Sequence, residues 1–574
     1  MINVMIKNII IGFSFGLLVS SCLDLSPKDQ MSDSNMWETA SDFKYFANNF
    51  YGWTRDFKKV TSDGPHSDER SDLFTGASVN VYSHGSNSIP TSDSWYTDNY
   101  KYIRRANLIL QNAKNYSRDD INTYVGEAYF FRAYFHFDLV QLYGDVIKVD
   151  KVMDIDSPEM NQERNDRGEV IDFIIDDLNK AVELLSDEPE EDGRICKMVA
   201  YAFISRVALY EGTWQKFRDN TERGKALLDI AVKAADKVIA SKKYELFKPE
   251  SLGIYAYKYM FTLENVKSNP AGLTKKDNKE YIFYRRHDEI LAPIGTNITA
   301  GYCANAVYLN RKLVNMYLTQ NGLPIDKDPY AAGTNEKGFK GYATETSEFE
   351  NRDNRMLNCM LQKGQKYWKN EDNQCRVTWD ENEEGRLTCD VNKGTGYQNQ
   401  KWCTERQVKS EYEGYDYPII RYAEVLLNYA EAVYERDGEI KDADLDKSLN
   451  LVRLRVNPTM PKLSKALVDD NGLNMREEIR RERTIELVHE GFRLDDLKRW
   501  KTAEEEMPMD ILGIKWEGTN FETSWTNAST IKRNDEGCLI LEDGRSWSEK
   551  NYLYPLPSDQ TQLNPKLGQN PGWE

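Results

Sequence analysis

Residues 127–146 read EAYFFRAYFHFDLVQLYGDV and decide the fold class. The residues that recur three or four positions apart, the period of one α-helical face, are Tyr129, Arg132, Ala133, His136, Phe137 and Val140. Gly144 follows the last of them, and glycine commonly ends a helix. The stretch therefore predicts a helix over 119–143, with His136 as a packed core residue on its apolar face.

Periodic stretches of the same kind flank this helix on both sides. Their apolar spacing predicts further helices, and turn-rich loops join them, over 92–115, 167–185, 196–212 and 222–241. Antiparallel pairs of about 35 to 45 residues are typical of tetratricopeptide-like arrays, which stack to bury their apolar faces. The chain is therefore predicted to be mainly α, with a tetratricopeptide-like helical superhelix as its scaffold.

The composition changes over 244–417, where Gly, Asn, Asp and Pro become more frequent. Periodic helix is predicted there only near 306–320. Because long loops in a compact protein usually carry function, we interpret 244–417 as a loop-rich, ligand-binding half.

Strong helical patterns resume after this region, over 418–436, 442–456 and 474–501. The scaffold is thus predicted to comprise 36–243 and 418–501. Residues 502–574 are predicted to form an extended C-terminal segment whose run 553–557 packs against the body.

The N-terminus has the pattern of an export signal. Residues 1–21 combine Lys7 with a short apolar run and small residues before Cys22, and the run is shorter than the roughly 20 residues that a spanning helix needs. Residues 19–22 (VSSC) resemble the lipobox of bacterial lipoproteins, in which the cysteine carries lipid. We expect a lipoprotein signal peptide over 1–21, lipidation at Cys22 and a tether over 22–35. The alternative is an ordinary signal peptide with an incidental thiol.

The formal charge of −18 restricts the partners. Nucleic-acid binding depends mainly on Lys and Arg contacts to phosphate, so a nucleic-acid partner is not expected. The same negative charge disfavours binding of the protein surface to anionic lipid, so the acyl chains on Cys22 would anchor the protein to the membrane.

Seven cysteines remain besides Cys22, and they form no CxxC pair: Cys196, Cys303, Cys359, Cys375, Cys389, Cys403 and Cys538. Four of them fall within 359–403, where disulfides and partly buried thiols are both open. No clustered histidine supports zinc, and we assign no metal ligand and expect no cofactor. Calcium bound by the loops stays open.

The segment 480–500 reads RRERTIELVHEGFRLDDLKRW. Paired glutamates one turn apart could serve acid–base catalysis. However, acids and arginines alternate at three- and four-residue spacing, which favours an ion-paired lattice between helices. With no HExxH, GxSxG, P-loop or dinucleotide motif in the chain, we expect no enzyme.

Aromatic residues in loops are the strongest sign of ligand binding. Their faces offer flat apolar area with a polar edge, which suits the C–H faces of sugars. The predicted ligand-binding residues, with three polar partners for hydroxyl groups, are Tyr82, Trp95, Tyr302, Tyr367, Trp368, Arg70, His84 and Asp98. Trp379 and Trp402 belong to the same group of loop aromatics.

Several ordered blocks resemble the SusD-like (RagB/SusD) outer-membrane lipoproteins. The blocks are CLD at 22–24, then 127–146, FENRDNRM at 349–356, IIRYAEVLLNYAEA at 419–432, ELVHEGFRLDDLKRW at 486–500 and YPLPSDQTQLNPKLGQNPGW at 554–573. Together they extend over nearly the whole chain from Cys22.

The resemblance implies a cell-surface protein that caps a SusC-like TonB-dependent transporter. It implies capture of a nutrient, usually an oligosaccharide and sometimes a peptide, with no catalysis. Only Trp95 and Asp98 lie where ligand sites of this family often begin. A surface glycosidase stays as the competing hypothesis, and a structural scaffold without a ligand is a third.

Overall fold

A computed structural model gives the fold of the chain. It describes residues 36–57, 64–76, 78–154, 156–296, 298–299, 307–369, 375–378, 394–409 and 411–574. Cys22, the signal peptide and most of the tether therefore lie outside the described residues. Among the described residues, no helix has the length and apolar character needed to cross a membrane.

Helices make up most of the regular structure. In the first half they are α1 Ala40–Tyr51, α2 Val81–His84, α3 Ser94–Ala113, α4 Asn122–Tyr143, α5 Arg167–Leu184, α6 Lys197–Lys216, α7 Thr221–Ser241 and α8 Ala256–Met260. Those that follow are α9 Arg311–Met316, α10 Asn354–Cys359, α11 Tyr422–Asp437, α12 Asp442–Asp446, α13 Leu449–Arg453, α14 Lys465–Asp470, α15 Met475–Leu487, α16 Arg493–Trp500, α17 Ala503–Glu506, α18 Phe521–Ser524 and α19 Ser558–Leu563.

The long helices form a consecutive stack. Each of α3 to α7 packs against the next, and α11 closes the stack against α6 and α7. The predicted mainly α, tetratricopeptide-like scaffold is confirmed. The predicted helix ends over 92–241 agree with the structure within a few residues, and Gly144 ends α4 with a φ of 75°.

Helix α4 is buried on nearly every side rather than on one face. Every residue from 130 to 144 is buried, because α4 lies between its neighbours in the stack. A charged group in such a position needs a partner. Arg132 donates two hydrogen bonds to Asp177, at 2.6 and 2.8 Å. His136 is confirmed as a core residue: burial lowers its pKa to about 3, and its Nδ1 lies 2.8 Å from the Arg132 carbonyl oxygen.

The described strands pair in four antiparallel two-stranded sheets. They are β1 Phe74–Thr75 with β3 Tyr308–Leu309, β2 Tyr281–Arg285 with β6 Tyr417–Arg421, β4 Lys366–Lys369 with β5 Cys375–Thr378, and β7 Ile511–Lys515 with β8 Cys538–Glu542. The prediction that a helix begins at 418 is therefore wrong for its first residues. They pair with β2, and the helix starts at Tyr422.

The predicted helix 474–501 is two helices, α15 and α16. The backbone turns between them at His489 and Gly491, which have φ values of 61° and 79°. Gly491 adopts this left-handed conformation without a Cβ penalty. The Trp402 indole donates a hydrogen bond of 2.9 Å to the His489 carbonyl, so a tertiary contact holds the turn.

The ion-paired lattice predicted for 480–500 is confirmed. Glu486 on α15 lies 2.6 Å from Arg421, 2.7 Å from Arg455 and 3.1 Å from Arg355, and all four side chains are at most 2% exposed. Arg421 also bonds Glu490 at 2.7 Å. The lattice ties α15 to strand β6, to helix α10 and to Arg455, two residues after the end of α13.

The C-terminal segment 502–574 is more structured than predicted. It contains the β7–β8 hairpin and short helices. Within the run 553–557, Tyr554 and Leu556 are buried as expected. Cys359 and Cys403 are buried free thiols. Disulfides through them are thereby excluded, while Cys389 and the Cys375 side chain lie outside what the structure describes.

Candidate functional site

One cleft of the described structure has a volume of about 760 Å³ and is named here the tyrosine cleft. This volume is in the range of small-molecule sites. Its lining residues are Asp192, Met260, Leu263, Glu264, Asn265, Lys275, Lys276, Asn278, Tyr281, Tyr284, Arg286, His287, Asp288, Glu289, Leu291, Ala292, Gly414 and Asp416. All but Asp192 fall within 244–417, the half in which we predict ligand binding.

Strand β2 places two tyrosine rings in the cleft. Residues three apart on a regular strand face opposite sides of a sheet, yet the Tyr281 and Tyr284 rings lie only 6.2 Å apart. The β2–β6 register is irregular between these two residues, and Pro418 is the partner of Tyr284. Because proline cannot donate to the ladder, it interrupts regular pairing, and such irregularities re-aim side chains.

A tight turn after β2 forms one rim. Asp288 and Ala292 exchange backbone hydrogen bonds of 2.8 and 3.1 Å. The Asp288 carboxylate accepts the amides of Ile290 and Leu291, each at 2.9 Å, and these bonds lower its pKa. The turn holds Ile290 and Leu291 outward, with 80% and 88% of their surface exposed.

Another wall is fixed by a lysine and two backbone groups. The Lys275 ammonium donates to Asp416 at 2.6 Å and to the His287 carbonyl oxygen, and the His287 amide donates to Asp416 at 2.8 Å. Burial raises the pKa of Asp416, and Lys275 offsets part of that rise. Burial also lowers the pKa of His287 to about 4, with Arg285 adding to the effect. His287 is therefore neutral at pH 7.

The remaining carboxylates of the cleft are also bonded. Arg406 donates to Glu264 at 2.5 and 2.9 Å and lies 3.0 Å from Glu289. Asn265 donates to Glu289 at 3.2 Å, and the Tyr284 hydroxyl donates to Asp192. The five lining carboxylates thus form a fixed array of hydrogen-bond acceptors.

A second depression of about 360 Å³ adjoins the tyrosine cleft. The two share Asp192, Tyr284 and Arg286. The second depression also contacts Tyr51 on α1 and Arg194 before α6. A ligand longer than one cleft therefore has a continuing surface past Tyr284.

The described residues predicted from sequence lie elsewhere. The Arg70 guanidinium is 3.4 Å from the Tyr82 ring centre and donates to the Tyr554 hydroxyl at 3.2 Å. Arg70 is 6% exposed, so most of this group faces protein. His84 ends α2, where its carbonyl oxygen accepts the Ser546 amide at 3.0 Å.

Trp95 and Asp98 lie on the first turns of α3. The Trp95 ring is 6.0 Å from His66, and Asp98 bonds Lys101 at 2.7 Å. The lining of the tyrosine cleft given above includes none of the five predicted residues Arg70, Tyr82, His84, Trp95 and Asp98. Their role in ligand binding stays a prediction.

The other predicted residues divide into two groups. Cys22, Tyr302 and Trp379 are outside the described part of the chain, and Tyr367 and Trp368 lie on β4 with undescribed side chains. Trp402 is 0% exposed and bonded to His489, so its interpretation as a ligand-facing loop aromatic is wrong.

Sequence reasoning missed Tyr281 and Tyr284, the two aromatics of the tyrosine cleft. The run 280–286 (EYIFYRR) has the β-branched and aromatic content of a strand, which is the available signal. Its partner strand is more than 130 positions away, and the irregular pairing depends on that partner.

Comparison with known proteins identifies the family. A family model described as "SusD family" matches residues 256–573. The chain belongs to the SusD family. A second model, described as "Starch-binding associating with outer membrane", matches residues 23–209 of this SusD-family protein.

The SusD-family chain also resembles individual proteins. It is 29% identical over 227 residues to SusD-like protein P38 of Formosa agariphila, which is 36% of this chain and 42% of that protein. The match thus spans less than half of the relative's length. A SusD-like protein from Bacteroides fragilis superposes with a TM-score of 0.70 at 24% identity, over 95% of this chain and 100% of that one. A SusD-like carbohydrate binding protein from the same species gives 0.69 at 20%, over 92% and 99%. These two likenesses confirm the fold.

Proposed function

We propose that this SusD-family protein is a surface lipoprotein that binds an oligosaccharide in the tyrosine cleft and delivers it to a SusC-like TonB-dependent transporter. The observation that carries the proposal is the Tyr281–Tyr284 pair inside a 760 Å³ cleft with fixed polar walls. Aromatic faces beside oriented hydrogen-bonding groups match the alternating apolar and hydroxyl surfaces of a sugar.

The state of the carboxylates supports binding over catalysis. A glycosidase needs one carboxyl as an acid and a second as nucleophile or base. In the tyrosine cleft Asp416 is bonded to Lys275, Glu264 and Glu289 to Arg406, and Asp192 to Tyr284. Carboxylates that are already bonded to cations or hydroxyl groups are better suited to accept hydrogen bonds from sugar hydroxyls than to transfer protons.

Family and sequence support the location and the partner. One matching family model is described as associating with the outer membrane, and a structural neighbour is described as carbohydrate binding. The lipobox-like residues before Cys22 favour a lipid anchor, and the family resemblance favours a position facing the cell exterior. Two acyl chains suffice for stable anchoring, whereas a single chain gives marginal binding.

Calorimetric titration of the purified protein tests which class of ligand it binds. The probes are neutral linear oligosaccharides, including maltoheptaose, cellohexaose and chitohexaose, with a mixed peptide library in parallel. We expect at least one glycan to bind and Tyr284→Ala to weaken it. Binding of peptides alone would overturn the saccharide assignment, and sustained hydrolysis of a bound glycan would favour the enzyme.

Two further arms test the predicted residues and the partner. Trp95→Ala, which changes a residue outside the tyrosine cleft, should weaken glycan binding only if the sequence prediction for α3 is right. Co-purification from outer membranes with a SusC-like barrel, lost on Cys22→Ala, supports delivery. Recovery of the wild-type protein from the periplasm without attached lipid would contradict the predicted lipid anchor.

A further inference from the structure

A separate cleft of about 580 Å³ has the opposite balance of charge and is named here the cationic cleft. It is lined by Arg311, Lys312, Asn315, Met316, Pro324, Ile325, Asp326, Tyr342, Arg481, Lys515 and Glu536. Four cations thus face two acids, whereas in the tyrosine cleft three cations face five acids. In a chain with a formal charge of −18, this excess of cations is local.

Arg311 is buried in the wall of this cleft with unused hydrogen-bonding capacity. It is 4% exposed, and its Nη1 is buried without a hydrogen-bond partner among the described residues. The nearest acid, Glu348, lies 3.7 Å away, and the Arg311 guanidinium is 4.5 Å from the Tyr342 ring centre. A buried N–H without an acceptor is costly. The charge of the Arg311 guanidinium in the cleft wall attracts an oxyanion bound beside it.

Glu348 does not fully compensate Arg311. Burial raises the pKa of Glu348, while Arg311 and Arg352 lower it only in part. The Tyr397 hydroxyl, which has one hydrogen to donate, lies 2.9 and 3.0 Å from the two Glu348 oxygens. With Glu348 3.7 Å away and no hydrogen-bond partner for Nη1 among the described residues, the Arg311 guanidinium keeps attraction for a further negative group.

Lys515 and Arg481 extend the cationic wall. The Lys515 ammonium is 5.7 Å from the Tyr342 ring centre, and within the described chain no ion pair of Lys515 is found. Among the residues that the structure describes, Arg481 makes one hydrogen bond of 3.3 Å, to Glu478 on its own helix. By contrast, Lys312 is bonded to Asp72 at 2.6 Å and to Glu506.

The rest of the lining restricts the ligand further. Met316, Pro324 and Ile325 give an apolar surface against which C–H groups can pack. Asp326 and Glu536 are exposed, so they oppose a densely charged anion while accepting hydroxyl groups. A ligand with one negative group on a hydroxylated, partly apolar body satisfies all of these features.

We propose that the cationic cleft binds a sugar unit that carries one oxyanion, either a uronate carboxylate or a sulfate ester. The oxyanion lies between Arg311, Arg481 and Lys515, and the sugar ring packs on the apolar side. This site is distinct from the tyrosine cleft and goes beyond the proposed function, because it adds a second ligand chemistry to the same chain.

Ligand-observed NMR titrations of the purified protein test the inference. The probes are methyl glucuronide, a sulfated methyl galactoside, neutral methyl glucoside and inorganic sulfate. We expect one of the two charged glycosides to bind and methyl glucoside not to. The variant Lys515→Gln/Arg481→Gln should lose about tenfold or more in affinity, since hydrogen bonds to charged groups are strong.

Two matched variants separate a lost site from a damaged fold. Lys465→Gln removes a cation that is 75% exposed and lies in the lining of neither cleft, and it should leave the charged glycoside bound. Asp326→Asn removes an opposing acid and should strengthen binding about two- to threefold, a gain that misfolding does not produce. Failure of the tyrosine cleft to bind neutral glycans would not affect these results.

Three results would overturn the proposal. Equal affinity in wild type and in the Lys515→Gln/Arg481→Gln variant would remove the assigned site. If methyl glucoside binds as tightly as the charged glycosides, the cleft does not recognise the oxyanion. Inorganic sulfate binding as tightly as the sulfated sugar would remove the sugar from the assignment.

Discussion

The tyrosine cleft and the cationic cleft differ in what their charged groups are already bonded to. In the tyrosine cleft each of the carboxylates Asp192, Glu264, Glu289 and Asp416 has a partner. In the cationic cleft, Arg311 Nη1 lacks a hydrogen bond and Lys515 has no ion pair within the described residues. Paired charges present a rigid polar surface, and incompletely paired ones retain attraction for a charged ligand.

Both clefts nevertheless depend on helix α15. Glu486 of α15 holds Arg421, which is opposite Tyr281 in the β2–β6 pair, while Arg481 of the same helix lines the cationic cleft. A chain that is strongly acidic overall can thus carry two clefts of different charge. What distinguishes them is local pairing rather than net charge.

The largest expected effect follows from breaking the support that the two clefts share. Glu486→Gln leaves three buried guanidinium groups without their common acid, and loss of one partner from a buried ion pair costs about 3–5 kcal/mol. We expect the free energy of unfolding in urea to fall by that amount. The control Glu188→Gln breaks an ion pair whose acid is 76% exposed and should cost less than about 1 kcal/mol. A fall no larger than that of the control would refute the buried lattice.

The next effect sharpens the role of the tyrosine rings. Tyr284→Ala should weaken neutral glycan binding roughly five- to thirtyfold, since an aromatic face contributes about 1–2 kcal/mol with its area. Tyr284→Phe keeps the ring and should lose less. Tyr45→Ala, at a tyrosine that is 62% exposed on α1, serves as the matched control for calorimetry. Unchanged glycan affinity in Tyr284→Ala would place the ligand elsewhere.

Salt should change ligand affinity differently at the two clefts, and by less than the Tyr284→Ala substitution does. Raising sodium chloride from about 0.05 to 0.5 M shortens the screening length from more than 10 Å to a few ångströms. Affinity for the charged glycoside should fall about three- to tenfold, and neutral glycan affinity should change less than about twofold. Parallel titrations at both salt concentrations check this, and equal salt dependence would contradict the contrast in charge.

The smallest expected effect is the part of the pH dependence of stability that His287 of the tyrosine cleft contributes. The folded-state pKa of His287, about 4, is below its ordinary value near 6.5, so the unfolded chain binds more protons between these values. Stability should therefore fall as pH decreases from about 6.5 to 4. His287→Gln should reduce this slope in urea unfolding at pH 7 and 4.5. His136 and His489, with pKa values of about 3, contribute to the same slope and remain in the variant. An unchanged slope would mean that His287 is not held neutral by burial.

Much of the scaffold could be predicted because its signals are local. The 3.6-residue period gave α3 to α7 within a few residues, and Gly144 marked the end of α4. The break between α15 and α16 could not be predicted, because 488–492 keeps helical apolar spacing. The turn is held by distant groups: the Trp402 indole bonds His489, and Asp68 accepts the Gly491 amide at 3.3 Å.

Neither cleft could be located from the sequence. Tyr281 and Tyr284 share a cleft only because β6 pairs irregularly with β2 opposite Pro418. The cationic cleft combines charged side chains between 311 and 536, each of which alone is indistinguishable in sequence from an ordinary solvated charge. The aromatic signal pointed to the half of the chain that contains Tyr281 and Tyr284, but Trp402 shows that a loop aromatic can be a core residue.

The most direct test of the account compares both ligands on both variants in one calorimetric series. The ligands are the neutral oligosaccharide and the charged glycoside, and the variants are Tyr284→Ala and Lys515→Gln/Arg481→Gln. The account predicts that Tyr284→Ala weakens only the neutral ligand and that the cationic-cleft variant weakens only the charged one. Loss of both ligands in the same variant, with its unfolding free energy unchanged, would contradict two separate sites.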